Sequence, residues 1–405
     1  MKLRWLWPWA AFFLYALPGL GQERVLTIDE ALALARERAA DVALARGRVE
    51  EARARQAQAG RRFQENPELE VNGGYRRAED DYFDFDATLS QSLFGGRRRD
   101  ARLAGTQAAL DRAEAELAEV RRQLLRDVWT TFTRVLAARD RAALVSRSRE
   151  AADALLSATE RRYEAGEATA LELNRARVAA AAARAEQGTA EAEGSAALGE
   201  LKALLGLPPE ESVEIRGSLS PRSPVELEPL LAGLDRRPDL LALAAELREA
   251  EAEVLLGQAL ARPGLGVRGG VAREEGADIV TAGVVVSLPL HSRGQETVAV
   301  GQARADALRQ ALVAARGAAD AEVRGRHAAL TARLAAVHEL KETALPALED
   351  NESLALKSFE AGEIDLGELL LIRREILETR LAYLDRLLDA ALTRFELEAA
   401  AGALP

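Results

Sequence analysis

The chain has 405 residues, of which 4% are aromatic, and it contains no cysteine. The length would suffice for two or three ordinary domains, but so few aromatic residues favour extended helices over several globular cores. Without cysteine there is no disulfide, no thiolate metal site and no cysteine-linked lipid anchor. A net charge of −11 argues against a nucleic-acid partner, because phosphate binding depends on Lys and Arg.

The first residues have the order of a secretory signal. Lys2 and Arg4 precede a mostly apolar run from Trp5 to Leu17, and small residues follow at 18–21, where a signal peptidase could cleave. The alternative is a membrane anchor, but the run is shorter than the ~20 residues that span a bilayer as a helix. We therefore predict a signal peptide at 1–21 and an exported mature chain.

An internal repeat is visible in the sequence. The phrases "YEAGEATALELN" and "FEAGEIDLGELL" begin at Tyr163 and Phe359, 196 residues apart. The same offset relates predicted capping boxes that begin at Thr27 and Ser223. It also relates the Asn66-Pro67 and Arg262-Pro263 pairs, each of which should end a helix. We interpret the chain as two copies of one unit, at 22–205 and 223–405, joined by a linker at 206–222.

Each copy is predicted to contain a helix, a β-hairpin, a long helix and a helix of moderate length. The first helix of the first copy should run from Thr27 to Gln64. Leucines at intervals of seven, as in Leu103, Leu110 and Leu117, predict coiled-coil packing of a long helix of roughly 100 Å. Pro346 should kink or break the second long helix. The hairpins, long helices and last helices are predicted at 67–94, 97–163 and 167–205, and at 264–290, 296–361 and 364–400.

The two hairpins alternate between apolar and polar residues. In the first, Phe83 and Phe85 alternate with Asp84 and Asp86. Period two over about ten residues is typical of a transmembrane strand with one face in lipid and one in water, although a soluble amphipathic hairpin would look similar. Asp84, Asp86 and Arg268 are the candidates for the side that faces a lumen.

Four strands per chain are too few to close a membrane barrel, since the smallest barrels have about eight. Open strand edges are not tolerated in lipid, so the chain should oligomerise. Two copies would give eight strands and a filled interior, whereas three would give twelve strands and a lumen. Three is the better fit to a duct.

Several sequence segments, taken in their order along the chain, resemble the TolC family of outer-membrane efflux ducts. They are "LTIDEALALARER", "NPELEV", "LFGGRRR", "RRPDLLALAAELREAEAEV" and the two "[YF]EAGE" turns. The resemblance covers nearly the whole mature chain. It implies a mainly α fold with transmembrane β-strands. The implied assembly is a homotrimer whose twelve-stranded barrel in the outer membrane continues into an α-helical barrel across the periplasm. It also implies a periplasmic adaptor protein and an inner-membrane pump as partners.

The resemblance also assigns roles to residues at the two turns. Glu368 looks like a residue of a constricting acidic ring at the periplasmic gate, and Leu371 looks like a second such position that is apolar here. Glu172 and Arg175 occupy the matching positions in the first copy. The alternative is that these side chains are solvated charges on a helix face. The predicted helix tips, where the adaptor docks, contain Tyr163, Gly166, Glu167, Phe359, Gly362 and Glu363.

The sequence offers no catalytic, cofactor or metal site. A G-x-G-x-x-G pattern at 264–269 lies within a predicted strand, where it cannot cradle a dinucleotide. His327 and His338 should be roughly 16 Å apart along a helix, too far to share a metal.

The leading hypothesis is the outer-membrane duct of a tripartite efflux pump, a passive conduit for small molecules or metal ions. A type I secretion duct of the same fold and a soluble periplasmic coiled-coil or adaptor protein are the alternatives. An exported enzyme is disfavoured for want of a site.

Overall fold

The computed structural model of the chain describes residues 24–61, 63, 65–77, 81–93, 95–220 and 223–403. The predicted signal peptide at 1–21 lies outside the described residues. The described part is mostly helical and includes six β-strands.

The first half runs from a short strand through helices and a hairpin to a very long helix. That helix has 69 residues and is therefore about 100 Å long at ~1.5 Å per residue. The elements are β1 Arg24–Leu26, α1 Ile28–Arg38, α2 Ala40–Ala59, β2 Glu68–Arg77, β3 Asp81–Leu93, α3 Gly96–Glu164 and α4 Ala170–Leu204.

The second half has the same order, with more interruptions in its helices. The elements are β4 Val213–Ile215, α5 Leu227–Ala232, a 3-10 turn Leu234–Arg236, α6 Pro238–Leu260, β5 Gly264–Glu274, β6 Ala277–Ser287, α7 Gln295–Glu339, a π-helical turn Leu340–Ala344, α8 Leu345–Glu360 and α9 Leu366–Ala400.

The opening helix of each half differs from its prediction. The predicted helix from Thr27 to Gln64 is wrong, because the extended backbone of Ala39 separates α1 from α2. The capping box at Thr27 is present, with the Glu30 carboxylate accepting the Thr27 N–H at 2.8 Å. The box predicted to begin at Ser223 is absent, since Glu226 is extended and α5 starts after it without a side-chain cap. Pro238 then starts α6, and the residue before it is extended, as proline requires.

Pro346 interrupts the second long helix in a specific way. The five-residue π-helical turn ends two residues before it, and α8 continues past it. A π turn shifts the hydrogen-bond register by one residue. The missing N–H and the bulk of the proline ring are thereby accommodated without ending the helical path.

The strands form two sheets. β2, β3, β5 and β6 make one four-stranded sheet in that order, and every neighbouring pair is antiparallel. The hairpins of the two halves are therefore joined through β3 and β5. The second sheet is a parallel pair of β1 with β4. It was not predicted from the sequence, because both strands have only three residues and β4 lies in the segment assigned to the linker.

The described chain divides into two compact units, which we call unit 1 and unit 2. Unit 1 comprises residues up to Ala35, Thr131–Leu219 and Asn351–Leu384; unit 2 comprises Arg36–Thr130, Ser220–Asp350 and the residues from Asp385 onward. Unit 2 contains the four-stranded sheet. Its core is formed by leucine, valine and alanine from α5, α6, α7 and the end of α9.

Glycine ends four helices at corresponding places in the two halves. Each has a positive φ between 62° and 76°, which an L side chain adopts only at a cost. In each case the N–H of the next residue bonds to the carbonyl five residues earlier, at 2.8–2.9 Å, which is the Schellman geometry. These glycines are Gly166, Gly206, Gly362 and Gly402.

Candidate functional site

The first tip, residues 163–169, connects α3 to α4. Gly166 donates its N–H to the carbonyl of Tyr163 at 3.0 Å, and Glu167 donates to that of Arg162 at 2.8 Å. The side chain of Tyr163 is 44% exposed, and Glu167 is exposed. The tip therefore presents an aromatic ring and a carboxylate on a turn that its glycine fixes.

The second tip, residues 359–365, repeats this geometry between α8 and α9. Gly362 donates to the carbonyl of Phe359 at 3.1 Å, and the exposed Glu363 accepts a hydrogen bond from Ser358 Oγ at 2.8 Å. Phe359 packs against a core of Leu155, Ala176, Ala355, Leu366 and Leu369. The guanidinium of Arg162 lies 6.0 Å from the centre of its ring, so the two tips of one chain are in contact.

The first turns of α4 and α9 use their acidic residues differently. Thr169 caps α4 in a complete capping box, and both its N–H and its hydroxyl donate to Glu172. The backbone hydrogen bond from Thr169, followed by its hydroxyl, holds the pKa of Glu172 below its usual range. At the corresponding position Asp365 accepts the N–H of Glu368 at 2.8 Å.

The carboxylate of Asp365 cannot donate a hydrogen bond to the side chain of Glu368, whereas the hydroxyl of Thr169 does donate one to Glu172. In the described part of the chain no side-chain partner of Glu368 is found, and the residue is exposed. The T-x-x-E motif at 169–172 and the D-x-x-E motif at 365–368 are the sequence signals of these two caps. The two matched glutamates therefore differ: the carboxylate of Glu172 is held locally, and that of Glu368 is available.

Three of the four predicted gate residues line one groove of about 980 Å³ between α4 and α9, namely Arg175, Glu368 and Leu371. Glu172 is not among the lining residues. The groove is partly apolar and open, since Leu371, Leu171 and Val178 are 62–70% exposed. An unpredicted residue borders it: a Cβ at Gly367 would lie 2.5 Å from Nη1 of Arg175, so a side chain at this position would make the guanidinium move.

The four-stranded sheet has one apolar face. Residues paired across its strands, such as Leu69 with Leu89 and Val267 with Val284, point to the same side and continue from β2 to β6. This face is open in the single chain, with Val280 83% exposed. Gln91 is a polar residue on this face, and its side-chain amide donates to the carbonyls of Glu65 and Ser92. Apolar side chains at least 46% exposed on this face are Leu69, Val71, Tyr75, Phe83, Leu89, Leu265, Val267, Val271, Val280, Val284 and Val286.

The opposite face of the sheet carries all three predicted lumen residues and is polar along β2 and β3, whereas β6 contributes Ile279 and Val285 to it. Asp86 pairs with Ala272 and Arg268 pairs with Ser90, so their side chains point to the same side as Asp84. Asp84 Oδ1 accepts the N–H of Glu275 at 3.2 Å. The structure therefore places the lumen candidates together.

No group of three or more His, Asp or Glu in the described ranges could hold a metal ion. No helix of the part that the structure describes has both the length and the hydropathy to cross a membrane.

Comparison with known proteins gives matches along most of the chain. A profile of the outer membrane efflux protein family matches residues 31–207 and 232–403. The cobalt-zinc-cadmium resistance protein CzcC of Cupriavidus metallidurans is 29% identical over 293 residues, which cover 71% of this chain and 70% of that protein. The pyoverdine export outer membrane protein OpmQ of Pseudomonas putida is 29% identical over 317 residues, 69% of this chain and 65% of that protein.

Among solved structures, the CmeC outer membrane channel of Campylobacter jejuni is similar to this chain with a TM-score of 0.78 at 15% identity. The match covers 93% of this chain and 85% of that one. It confirms the predicted fold class, a mainly helical chain with duplicated helix and β-hairpin units. Since the family profile matches well over half of the residues, in both halves, the chain belongs to the outer membrane efflux protein family, as its resemblance to the TolC family indicated.

Proposed function

We propose that this chain is the outer-membrane channel of a tripartite efflux pump and that it acts as a homotrimer and a passive conduit. The observation that carries the proposal is the two-faced sheet, which is apolar and exposed on one side and polar on the other. Lipid would cover the apolar face, and water would fill the space along the polar face.

Trimer formation follows from the edges of this sheet. Within the described ranges, β2 and β6 each pair on one side only, so their outer N–H and C=O groups need a neighbour. Lipid supplies none, and each unpaired group there costs several kcal/mol. Pairing β2 of one chain with β6 of the next in three copies gives twelve strands and a lumen lined by the polar face.

The helical part would cross the periplasm, and the two tips would meet a periplasmic adaptor that recruits an inner-membrane pump. Their exposed turns present Tyr163 and Glu167 on one side and Glu363 on the other, anchored by Gly166 and Gly362. Phe359 supports this surface from within rather than presenting it, because it packs into the core beneath the second tip.

The gate would lie in the groove that holds Arg175, Glu368 and Leu371. Three copies of Glu368 near one axis would repel each other and attract cations. Leu371 would contribute apolar contact to closure. Because the carboxylate of Glu172 is hydrogen-bonded to Thr169, we assign Glu172 a role in capping helix α4 rather than a role in the gate.

The cargo is proposed to be small molecules or metal ions. The two relatives named above are a metal resistance protein and a pyoverdine export protein, and the acidic residues of the polar strand face suit cationic cargo. Transport energy would come from the inner-membrane partner, so no catalytic role is assigned to this chain.

Planar-bilayer conductance of the folded protein tests the channel. The chain should be extracted from outer membranes only with detergent and should then give discrete conductance steps. A chain that is soluble without detergent and does not conduct would refute the proposal in favour of a soluble coiled-coil protein.

The gate is tested by Glu368→Ala, with Glu172→Ala as its matched control 196 residues earlier. The first substitution should change cation preference or closed-state leak, and the second should change them less. Equal conductance and selectivity in wild type and Glu368→Ala would place Glu368 outside the constriction.

A further inference from the structure

A second groove, of about 530 Å³, lies within unit 1 between α3, α4 and α9. It adjoins the groove lined by Arg175, Glu368 and Leu371 and shares Leu370 and two alanines with it. Its walls are largely apolar, with Leu144 and Val145 from α3 and Leu377 and Leu381 from α9. Alanines from α3 and α4 leave the space between these walls open.

Arg373 is a cation inside this groove without a carboxylate partner. Its Nη1 donates to the carbonyl of Ala151 at 3.2 Å, and no carboxylate of the described residues lies within ion-pair distance of it. Burial lowers the pKa of Arg373, and the more distant charge of Glu352 raises it. The arginine still carries its charge at neutral pH, because guanidinium does not lose its proton in proteins.

The other charges at the groove are mostly paired among themselves. Arg380 bonds to Glu352 at 2.8 Å, and Arg374 bonds to Glu378 at 2.6 Å. Arg147 and Glu186 are exposed at its margin. Inside the groove, Arg373 is therefore a half-buried charge to which the described residues offer one hydrogen-bond acceptor, the carbonyl of Ala151.

We propose that this groove binds a small amphiphilic carboxylate, with its carboxylate on Arg373 and its apolar chain along the leucines. Arginine binds carboxylates through two parallel hydrogen bonds, and the pairing would satisfy donors that the protein leaves open. The volume lies within the ~300–1,000 Å³ of small-molecule sites.

This site does not depend on the channel function, because a chain that failed to conduct could still bind the ligand. The probes are dodecanoate and its neutral analogue dodecanol. Binding is measured by calorimetry on the full chain in zwitterionic lipid nanodiscs, with empty nanodiscs subtracted. Wild type should bind dodecanoate more tightly than dodecanol, a comparison that needs no variant to fold.

Arg373→Gln should weaken dodecanoate binding about tenfold or more, the size expected for losing a charge-assisted hydrogen bond. Arg373→Lys should retain part of the affinity because it keeps the charge. Arg177→Gln is the matched control, 196 residues earlier, since Arg177 is exposed and lies 3.8 Å from Glu160. Equal dodecanoate binding by wild type and Arg373→Gln, or equal binding of the two probes by wild type, would overturn the proposal.

Discussion

Replacing Arg237 with alanine should destabilise unit 2. Arg237 belongs to the "RRPDL" phrase, and its side chain is buried where α6, α7 and the end of α9 meet. It donates to Asp239 at 2.7 Å, to Glu322 at 3.2 Å and to the carbonyl of Ala400 at 2.7 Å. One guanidinium thus caps the C-terminus of α9 and connects it to two other helices.

The expected cost is about 3 kcal/mol. Breaking a buried ion pair by removing one partner costs about 3–5 kcal/mol, because the other charge stays buried. The side chains of Asp239 and Glu322 are 37% and 38% exposed, so water can reach them and the cost falls to the low end of that range. With an unfolding entropy of about 2.1 cal/mol/K per residue, 3 kcal/mol in a chain of 405 residues lowers the melting temperature by about 4 °C.

The assay is thermal unfolding followed by helical circular dichroism at fixed protein and detergent concentration. Arg236→Ala is the matched control, because Arg236 is adjacent in the same phrase and exposed. Arg237→Ala should melt several degrees below that control. If the two variants melt at the same temperature, the buried guanidinium of Arg237 does not stabilise this cluster.

Three further predictions concern acid, a turn and the sheet. Burial raises the pKa of Asp239, but its hydrogen bond and ion pair with Arg237 lower that pKa overall. The resulting stabilisation is therefore complete above the ordinary aspartate pKa of ~3.9 and is lost as pH falls through the folded value. The difference in melting temperature between wild type and Arg237→Ala should disappear in acid, and a difference that is independent of pH would contradict this prediction. Gly362→Ala should lower the stability measured by thermal unfolding by about 1–2 kcal/mol, because Gly362 has a φ of 76°. Gly188→Ala is the control and should not destabilise the chain, because Gly188 lies within the helix α4 with open space around it. Val284→Lys places a charge on the apolar strand face, so it should cost ~2–4 kcal/mol and reduce assembly in outer membranes. Its control, Thr281→Lys on the opposite face, should assemble. Equal yields of the two variants in outer membranes would contradict the assignment of the faces.

Much of the fold could be predicted because its strands and its duplication leave periodic patterns in the sequence. Alternation in residues 83–93 and 265–271 indicated the strands, and the offset of 196 between Gly166 and Gly362 indicated the duplication. The errors came where local geometry has no periodic signal. The helical pattern around Ala39 contains no residue that predicts the break there. The residues from Ser223 to Glu226 match the capping-box motif, but the backbone of Glu226 is extended and α5 begins after it.

The candidate site was predictable in position more than in detail. The sequence located both tips and the matched pair Glu172 and Glu368, because the repeat aligns them. Their difference comes from the capping residue, Thr169 or Asp365. The residue type is visible in the sequence, but the hydrogen bonds that its side chain makes are seen only in the structure. The contact of Arg175 with Gly367 joins two halves of the chain and has no local signal.

Cross-linking of the sheet edges shows directly whether three copies close the channel. The chain has no native cysteine, so Asn72→Cys in β2 can be combined with a series of single cysteines along β6, such as Thr281→Cys. Neighbouring strands lie ~4.8 Å apart, within the reach of a disulfide, when the register matches. Oxidation in outer membranes followed by a non-reducing gel should give linked dimers and trimers and nothing larger. Monomers at every position, or a ladder that extends beyond three chains, would show that three copies do not close one barrel.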